Sequence, residues 1–333
     1  MKNPILHQIS ETLSRSETIG LTSHVLPDGD SIGSVVGLEL ALKKLGVKTE
    51  VFLADPVPQT YQFLLGSNAA QSRVWAGVPD NLPEVIVVLD CTDLSRLGEG
   101  MADRIAGKTL INIDHHVSNQ YFGAYNWVEP GAAATGEMVY SLVKLLGVAI
   151  DREIATALLT AITTDSGFFR YDNTRPQSLR VGACLLEAGA DLAMIREHLW
   201  ENKSVVSMEL LGKALSTLSL TDDGRVAWVA LSAPTLKELG ADGEHCEGFV
   251  DYPKSIKGVE IGIFFREIDN STVKVGFRSK RYADVNRLAS MFGGGGHPRA
   301  AGCTIHGSLP VVIKQVTSAA QKLLDEGAGH GRP

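Results

Sequence analysis

Thr109-Leu110-Ile111-Asn112-Ile113-Asp114-His115-His116 passes from an apolar run straight into an acid and two imidazoles. The run, residues 109–113, has the length and residue types of a short buried strand. The abrupt change marks the point where that strand leaves the core. Working outward, the same transition occurs twice upstream: residues 18–23 lead into His24, and residues 85–89 lead into Asp90. Residues 49–53 make a further strand candidate. Residues 31–45 carry apolar side chains at helical spacing and stop at Gly46, and residues 135–146 and 152–163 read as helices too. Alternating strand and helix predicts an α/β fold, a parallel sheet flanked by helices. Ligands of such sheets sit beyond the carboxyl ends of the strands, so these polar clusters are placed to converge.

Residues 176–220 read as mainly helical and carry no chemistry-bearing cluster. From residue 226 the texture becomes strands and turns, at 226–231, 258–267 and 272–278, followed by the glycine run 293–296 and His297. The expected organisation is a metal-binding catalytic domain over 1–188, a helical linker over 189–220 and a smaller α/β substrate-binding domain over 221–328. The polar, glycine-rich tail 326–333 is expected to be disordered. With 44% hydrophobic and 21% charged residues, the 333-residue chain has a globular composition and room for two domains. No apolar run approaches the roughly 20 residues that span a bilayer, and the start lacks a signal-peptide pattern. Cys91, Cys184, Cys246 and Cys303 lie far apart without a CxxC pair, which argues against a disulfide framework or a cysteine-built zinc site. A reducing cytoplasm is the expected compartment. The net charge of −7 argues against a long basic groove for nucleic acid, but not against a substrate of a few nucleotides.

Four clusters carry candidate chemistry. His24-Val25-Leu26-Pro27-Asp28-Gly29-Asp30-Ser31 puts an imidazole and two carboxylates on one tight loop, a donor set for hard or borderline divalent ions. Its plain reading is a helix start capped by Asp30 or Ser31. Asp90-Cys91-Thr92-Asp93 begins with a carboxylate held rigidly at a strand end; its plain reading is a turn or cap. In Asp114-His115-His116, one imidazole can ligate a metal while the acid fixes a ring tautomer and the other imidazole meets substrate as donor or acid. A polar turn with solvated histidines is the alternative. Thr163-Thr164-Asp165-Ser166-Gly167-Phe168-Phe169 adds an acid at a helix end. Singly these are weak. Together they place four Asp and up to three His at element ends in one half of the chain. His7, His198, His245 and His306 read as surface or structural, and Trp75, Trp127, Trp200 and Trp228 as packing.

In this order the four clusters resemble the DHH phosphoesterase superfamily, named for its Asp-His-His motif. Residues 292–302, Phe-Gly-Gly-Gly-Gly-His-Pro-Arg-Ala-Ala-Gly, with Gly276-Phe277-Arg278-Ser279-Lys280 and Asp284-Val285-Asn286, resemble the DHHA1 domain of one branch. Within it, the stand-alone NrnA-type enzymes degrade very short RNA and dephosphorylate adenosine 3',5'-bisphosphate. The resemblance implies two divalent ions, Mn2+ with Mg2+ or Co2+ as alternatives, sharing a hydroxide. It assigns His24, Asp28 and Asp90 to one metal site and Asp30, Asp90, His115 and Asp165 to the other, with Asp90 bridging. His116 would face substrate with Asp114 behind it, so His115, His116, Asp90 and Asp114 form the expected catalytic group. Arg278, Ser279, Lys280, Gly294, Gly295, Gly296, His297 and Arg299 would hold the substrate: short RNA, pApA or a small nucleotide. A homodimer is a family-level expectation, and no membrane partner is expected. Alternatives are a cyclic di-AMP phosphodiesterase, a RecJ-like single-strand exonuclease, a family II pyrophosphatase or, in another class, a catalytically silent nucleotide-binding regulator.

Overall fold

A computed structural model describes residues 4–66 and 81–328. The chain forms two compact units, Met1–Asn202 and Lys203–Pro333. Trp75 and the last five residues of the expected disordered tail lie outside the described residues.

In the first unit, β1 (Thr18–Thr22), β2 (Lys48–Val51), β3 (Val85–Leu89), β4 (Thr109–Asp114) and β5 (Tyr125–Val128) form one sheet in the order β2-β1-β3-β4-β5. Every pair is parallel. The central strands are apolar without alternation because both faces are covered. Val87 and Leu89 enter the larger core, while Ile86 and Val88 enter a second one with Phe52, Met101 and Ile105. Helices Gly29–Lys44, Thr135–Leu145 and Arg152–Asp165 build the larger side. Strand order reverses between β1 and β3, so their carboxyl ends flank the crevice where such sheets take ligands.

The first and third of these helices approach closely along a glycine stripe. A Cβ on Gly33 would lie 2.9 Å from Ala161 Cβ, and one on Gly37 would lie 2.5 Å from Leu158 Cδ2. Gly29 faces Thr164 in the same way, with Thr164 Cβ 2.8 Å from the position of a Cβ. Spacing of four residues puts all three glycines on one helix face. The stripe lets the helix that begins beside Asp30 lie against the helix that ends in Asp165.

In the second unit, β6 (Ser219–Leu220), β7 (Val226–Leu231), β8 (Ile261–Asp269), β9 (Thr272–Ser279), β10 (Gly295–His297) and β11 (Ala300–His306) form a mixed sheet. Its order is β10-β11-β9-β8-β7-β6, and only β7 with β8 is parallel. Helix Leu309–Ala328 contributes Val312, Val316 and Ala320 to its main core. The stretch 189–220 is shared out between the units. Ile195 and Leu199 bury in the first core, and Leu210, Leu211 and Ala214 bury in a core of the second. Among the elements the sequence did not reveal are the amphipathic helix Pro4–Arg15, the short edge strand β5, strand β11 and the long helix Leu309–Ala328. The expected packing roles hold for Trp127, buried in the first core, and for Trp228, packed against the second. His198 stacks on Phe63 with ring centroids 4.5 Å apart. All four cysteines are free thiols. No helix among the described residues is long and apolar enough to cross a membrane.

Candidate metal centre

Each candidate ligand reaches the crevice for a local reason. Beyond β1, Ser23 Oγ donates to Leu89 O at 2.8 Å, tying the end of β1 to the end of β3. His24 follows, and its Nδ1 lies 2.7 Å from the Val25 carbonyl. A carbonyl only accepts, so Nδ1 carries a proton and Nε2 is the ring atom left to face a carboxylate or a cation. That Nε2 lies 3.5 Å from Asp90 Oδ2 and 3.9 Å from Asp28 Oδ1. Asp28 also caps the next helix, accepting from Ser31 N at 3.0 Å. The expected helix start is present, but its cap is Asp28 rather than Asp30 or Ser31; Ser31 returns the bond, its hydroxyl accepting from Asp28 N at 3.0 Å.

Asp90, buried at the end of β3, has φ of 57°, a left-handed backbone that Asp tolerates better than most residues. Its amide donates to Ile113 O at 2.9 Å, anchoring it to β4. The other acid of that cluster, Asp93, turns away to cap a short turn through Ser95 N. Beyond β4, His115 Nδ1 lies 3.3 Å from the Ala132 carbonyl. By the same tautomer argument, its Nε2 faces Asp30 Oδ2 (3.7 Å), Asp90 Oδ1 (3.7 Å) and Asp165 Oδ2 (3.5 Å). His116 Nδ1 also lies 3.6 Å from Asp90, but it sits 2.6 Å from Asp114 Oδ1. That proton is committed to Asp114, which is fully buried and accepts from Asn119 Nδ2 at 2.6 Å.

Three positions that the sequence did not single out as site residues complete the frame. Thr135 N and Gly136 N donate to the two oxygens of Asp30 at 2.7 and 2.9 Å, so the start of helix Thr135–Leu145 holds this carboxylate. Thr135 Oγ1 donates to Asp90 Oδ1 at 3.1 Å. Asn173 Nδ2 reaches Asp165 Oδ2 at 3.3 Å. Residues of these types occur throughout the sequence, and nothing in their own neighbourhood marks them out.

The charges are crowded. Burial and then repulsion from Asp90, Asp165 and Asp28 hold the Asp30 carboxyl well above the usual carboxylate range. Asp165 is pushed up to about 7, by burial first and by Asp90 and Asp28 against the attraction of His115. Asp90 goes the other way. Burial opposes its charge, but the hydrogen bond from His24 and the nearby imidazoles outweigh it and hold the group low. His116 is raised to about 9, because its bond to Asp114 and the charge of Asp90 overcome burial. A centre that has to keep protons or repel itself is one that divalent cations would relieve.

The donor atoms fit such cations. His24, Asp28 and Asp90 form one group whose ligand atoms lie within 4.8 Å of one another; Asp30, His115 and Asp165 form another; Asp90 with His115 and His116 joins them. Imidazole nitrogen with carboxylate oxygen is a borderline-to-hard donor set. All six expected ligands therefore meet at the carboxyl end of the sheet.

The expected substrate residues lie in the second unit, around the end of β9. Arg278 pairs with Ala300 across β9–β11, and His297 pairs with Ala300 across β10–β11. The glycine run is partly strand: a Cβ on Gly294 would lie 2.5 Å from Cys303 Cβ, and one on Gly296, at φ 145°, would lie 2.5 Å from Ala300 O. Close backbone approach thus requires glycine here whatever else these amides do. Arg299 Nη1 donates to Ala283 O at 2.8 Å, Lys280 Nζ to Ile256 O at 2.8 Å, and Arg278 Nη1 to Phe277 O at 3.0 Å. Ser279, nearly buried, lies 3.3 Å from Pro298 O through its hydroxyl.

A doubly wound sheet whose strand ends gather two groups of cation-suited donors around one shared aspartate fits the class of divalent-metal phosphoesterases. Residues 18–162 match the DHH family, N-terminal domain, and residues 223–326 match the DHHA1 domain. The bifunctional oligoribonuclease and PAP phosphatase NrnA of Thermus thermophilus is 37% identical over 320 residues, covering 95% of this chain and 93% of that protein. The protein of the same name from Bacillus subtilis is 28% identical over 302 residues, covering 90% and 93%. An exopolyphosphatase-related protein from Bacteroides fragilis superposes with a TM-score of 0.85 at 27% identity, covering 97% of this chain and 96% of that one. The chain belongs to the DHH family and carries its DHHA1 domain.

Proposed function

We propose that this protein hydrolyses phosphate esters of very short oligonucleotides and of adenosine 3',5'-bisphosphate, with the chemistry on the first unit and substrate capture on the second. The carrying observation is the meeting of His24, Asp28, Asp30, Asp90, His115 and Asp165 around Asp90. The NrnA names of its relatives supply the substrate class. When bound, a pair of divalent cations lowers the pKa of a water and offsets charge on the phosphate. Mixed imidazole and carboxylate donors favour Mn2+ over Mg2+ in this role. His24, Asp28 and Asp90 would hold one cation, and Asp30, Asp90, His115 and Asp165 the other.

The chain's own residues supply the rest. His116, fixed by Asp114, whose bond helps to push its pKa up to about 9 in the metal-free fold, is suited to donate to a phosphoryl oxygen or to the departing one. Four carboxylates cancel the charge of two divalent cations, so attraction for an anionic substrate has to come from elsewhere. Arg278, Lys280 and Arg299, with His297 and the amides of Gly294, Gly295 and Gly296, are the groups we assign to the part of the nucleotide that is not cleaved.

The test is one parallel assay: purified protein with Mn2+ offered pApA, short RNA, adenosine 3',5'-bisphosphate, cyclic di-AMP, pyrophosphate and long single-stranded DNA. Release from the first three, abolished by chelation, is expected. Turnover confined to cyclic di-AMP, pyrophosphate or long DNA would replace this reading, and metal-independent binding without product would make the protein a regulator.

A further inference from the structure

We infer that Asn173 is a positioning residue that sets the geometry of one metal group, Asp30–His115–Asp165, far more than that of the other, His24–Asp28–Asp90, which it reaches only through Thr135 and the shared Asp90. The inference rests on the two-cation reading above. Asn173 Nδ2 lies 3.0 Å from Ala133 O, 3.1 Å from Asp165 O and 3.3 Å from Asp165 Oδ2. All three neighbours are acceptors, so the amide is oriented with its NH2 toward them. One amide thereby joins two segments that are distant in sequence.

The first segment is the turn before helix Thr135–Leu145. Its Ala132 carbonyl orients His115, and its Thr135 and Gly136 amides hold Asp30. Glu137 closes the turn by accepting from Ala133 N at 3.3 Å and from Ser178 Oγ at 2.9 Å. The second segment is the end of helix Arg152–Asp165, where carbonyls lose their helical partners. The exit is strained: Gly167, Phe168 and Phe169 all have left-handed φ, of 56°, 61° and 62°, a conformation that costs a bulky residue free energy. An Asp at such an end is not fixed by its helix alone. Asn173 takes both its carbonyl and its carboxylate. The bridge therefore holds Asp165 at the distance from His115 that a shared cation needs. No bond from Asn173 runs to His24, Asp28 or Asp90 among the described residues.

Asn173→Ala removes the donor, and Asn173→Asp sets a carboxylate against three acceptors. Mn2+ binding would be titrated by EPR and calorimetry in wild type and both variants, with circular dichroism as the check on folding. Outer partners of metal ligands are worth roughly 10–100-fold in affinity. In both variants the expected result is one ion bound within about threefold of wild type and the other weakened at least about tenfold, with the coupled Mn–Mn signal appearing only at higher Mn2+. Two ions bound as in wild type would overturn the inference, and so would equal weakening of both, including through general unfolding. Should Asn173→Asp alone fail to fold, Asn173→Ala decides. Wild type binding fewer than two ions would instead sink the two-cation reading itself.

Discussion

Replacing Gly33 by Ala tests whether the glycine stripe is what brings Asp30 and Asp165 to one centre. A Cβ at this position would lie 2.9 Å from Ala161 Cβ and from Ala161 N, and nearer still to the Ala157 carbonyl. Carbon atoms pack at about 3.5–4.0 Å, so the helices have to part by roughly 0.6–1 Å. Two effects compete. Alanine in a helix interior is favoured over glycine by about 1 kcal/mol. Overpacking a filled core costs about 1–3 kcal/mol, and here two of the obstructing atoms are backbone, which cannot rotate aside. That rigidity puts the cost in the upper part of the range, about 2–3 kcal/mol, so the clash wins by about 1–2 kcal/mol. For a unit of this size that lowers the melting temperature of the chelated protein by roughly 2–8 °C.

The functional effect follows from the same displacement. Asp30 starts one of the separated helices, and Asp165 ends the other. Mn2+ affinity at the group containing both should fall about tenfold, the lower end for disturbed ligand support. Gly212→Ala is the control: it lies in helix Val205–Ser216 with nothing near its would-be Cβ, so it should melt slightly higher than wild type and bind Mn2+ normally. Thermal unfolding and Mn2+ titration of both variants decide the matter. If Gly33→Ala melts no lower than wild type and keeps both ions, the close approach of the helices does not position the site.

Two further outcomes are expected. Because Asp165 titrates near 7 in the metal-free fold against an ordinary 3.8, its stabilising contribution is complete below the ordinary value and lost as pH rises through 7. Chelated protein should thus melt lower at pH 8 than at pH 6, while Mn2+ affinity rises about tenfold over that interval as the competing proton leaves; calorimetry in buffers of different ionisation enthalpy would contradict this if no proton were released at pH 6. Arg299→Ala should raise KM about tenfold with both Mn2+ ions retained; an unchanged KM for both a dinucleotide and adenosine 3',5'-bisphosphate would remove Arg299 from substrate capture.

What could be read from the sequence was whatever one local pattern expresses. The transitions from apolar run to acid or imidazole at Asp90 and at Asp114-His115 record a strand leaving the core, and the strand ends of a parallel sheet share one crevice. The proposed ligands were therefore legible before any distance was known. Strand β5 was not, because Tyr125-Asn126-Trp127-Val128 is a short edge segment, only half buried, without an apolar run. Thr135 and Asn173 were hidden for a different reason. Their roles depend on acceptors 45 residues away, at Asp90, and 40 and 8 residues away, at Ala133 and Asp165. Glycines 29, 33 and 37 occupy the middle ground: their spacing of four is visible in the sequence, but only the facing Thr164, Ala161 and Leu158 show that it serves helix contact. Residues we propose as cation ligands are chosen by chemistry and stand out by type. Those that set the distances between them are chosen by space, and only the fold reveals them.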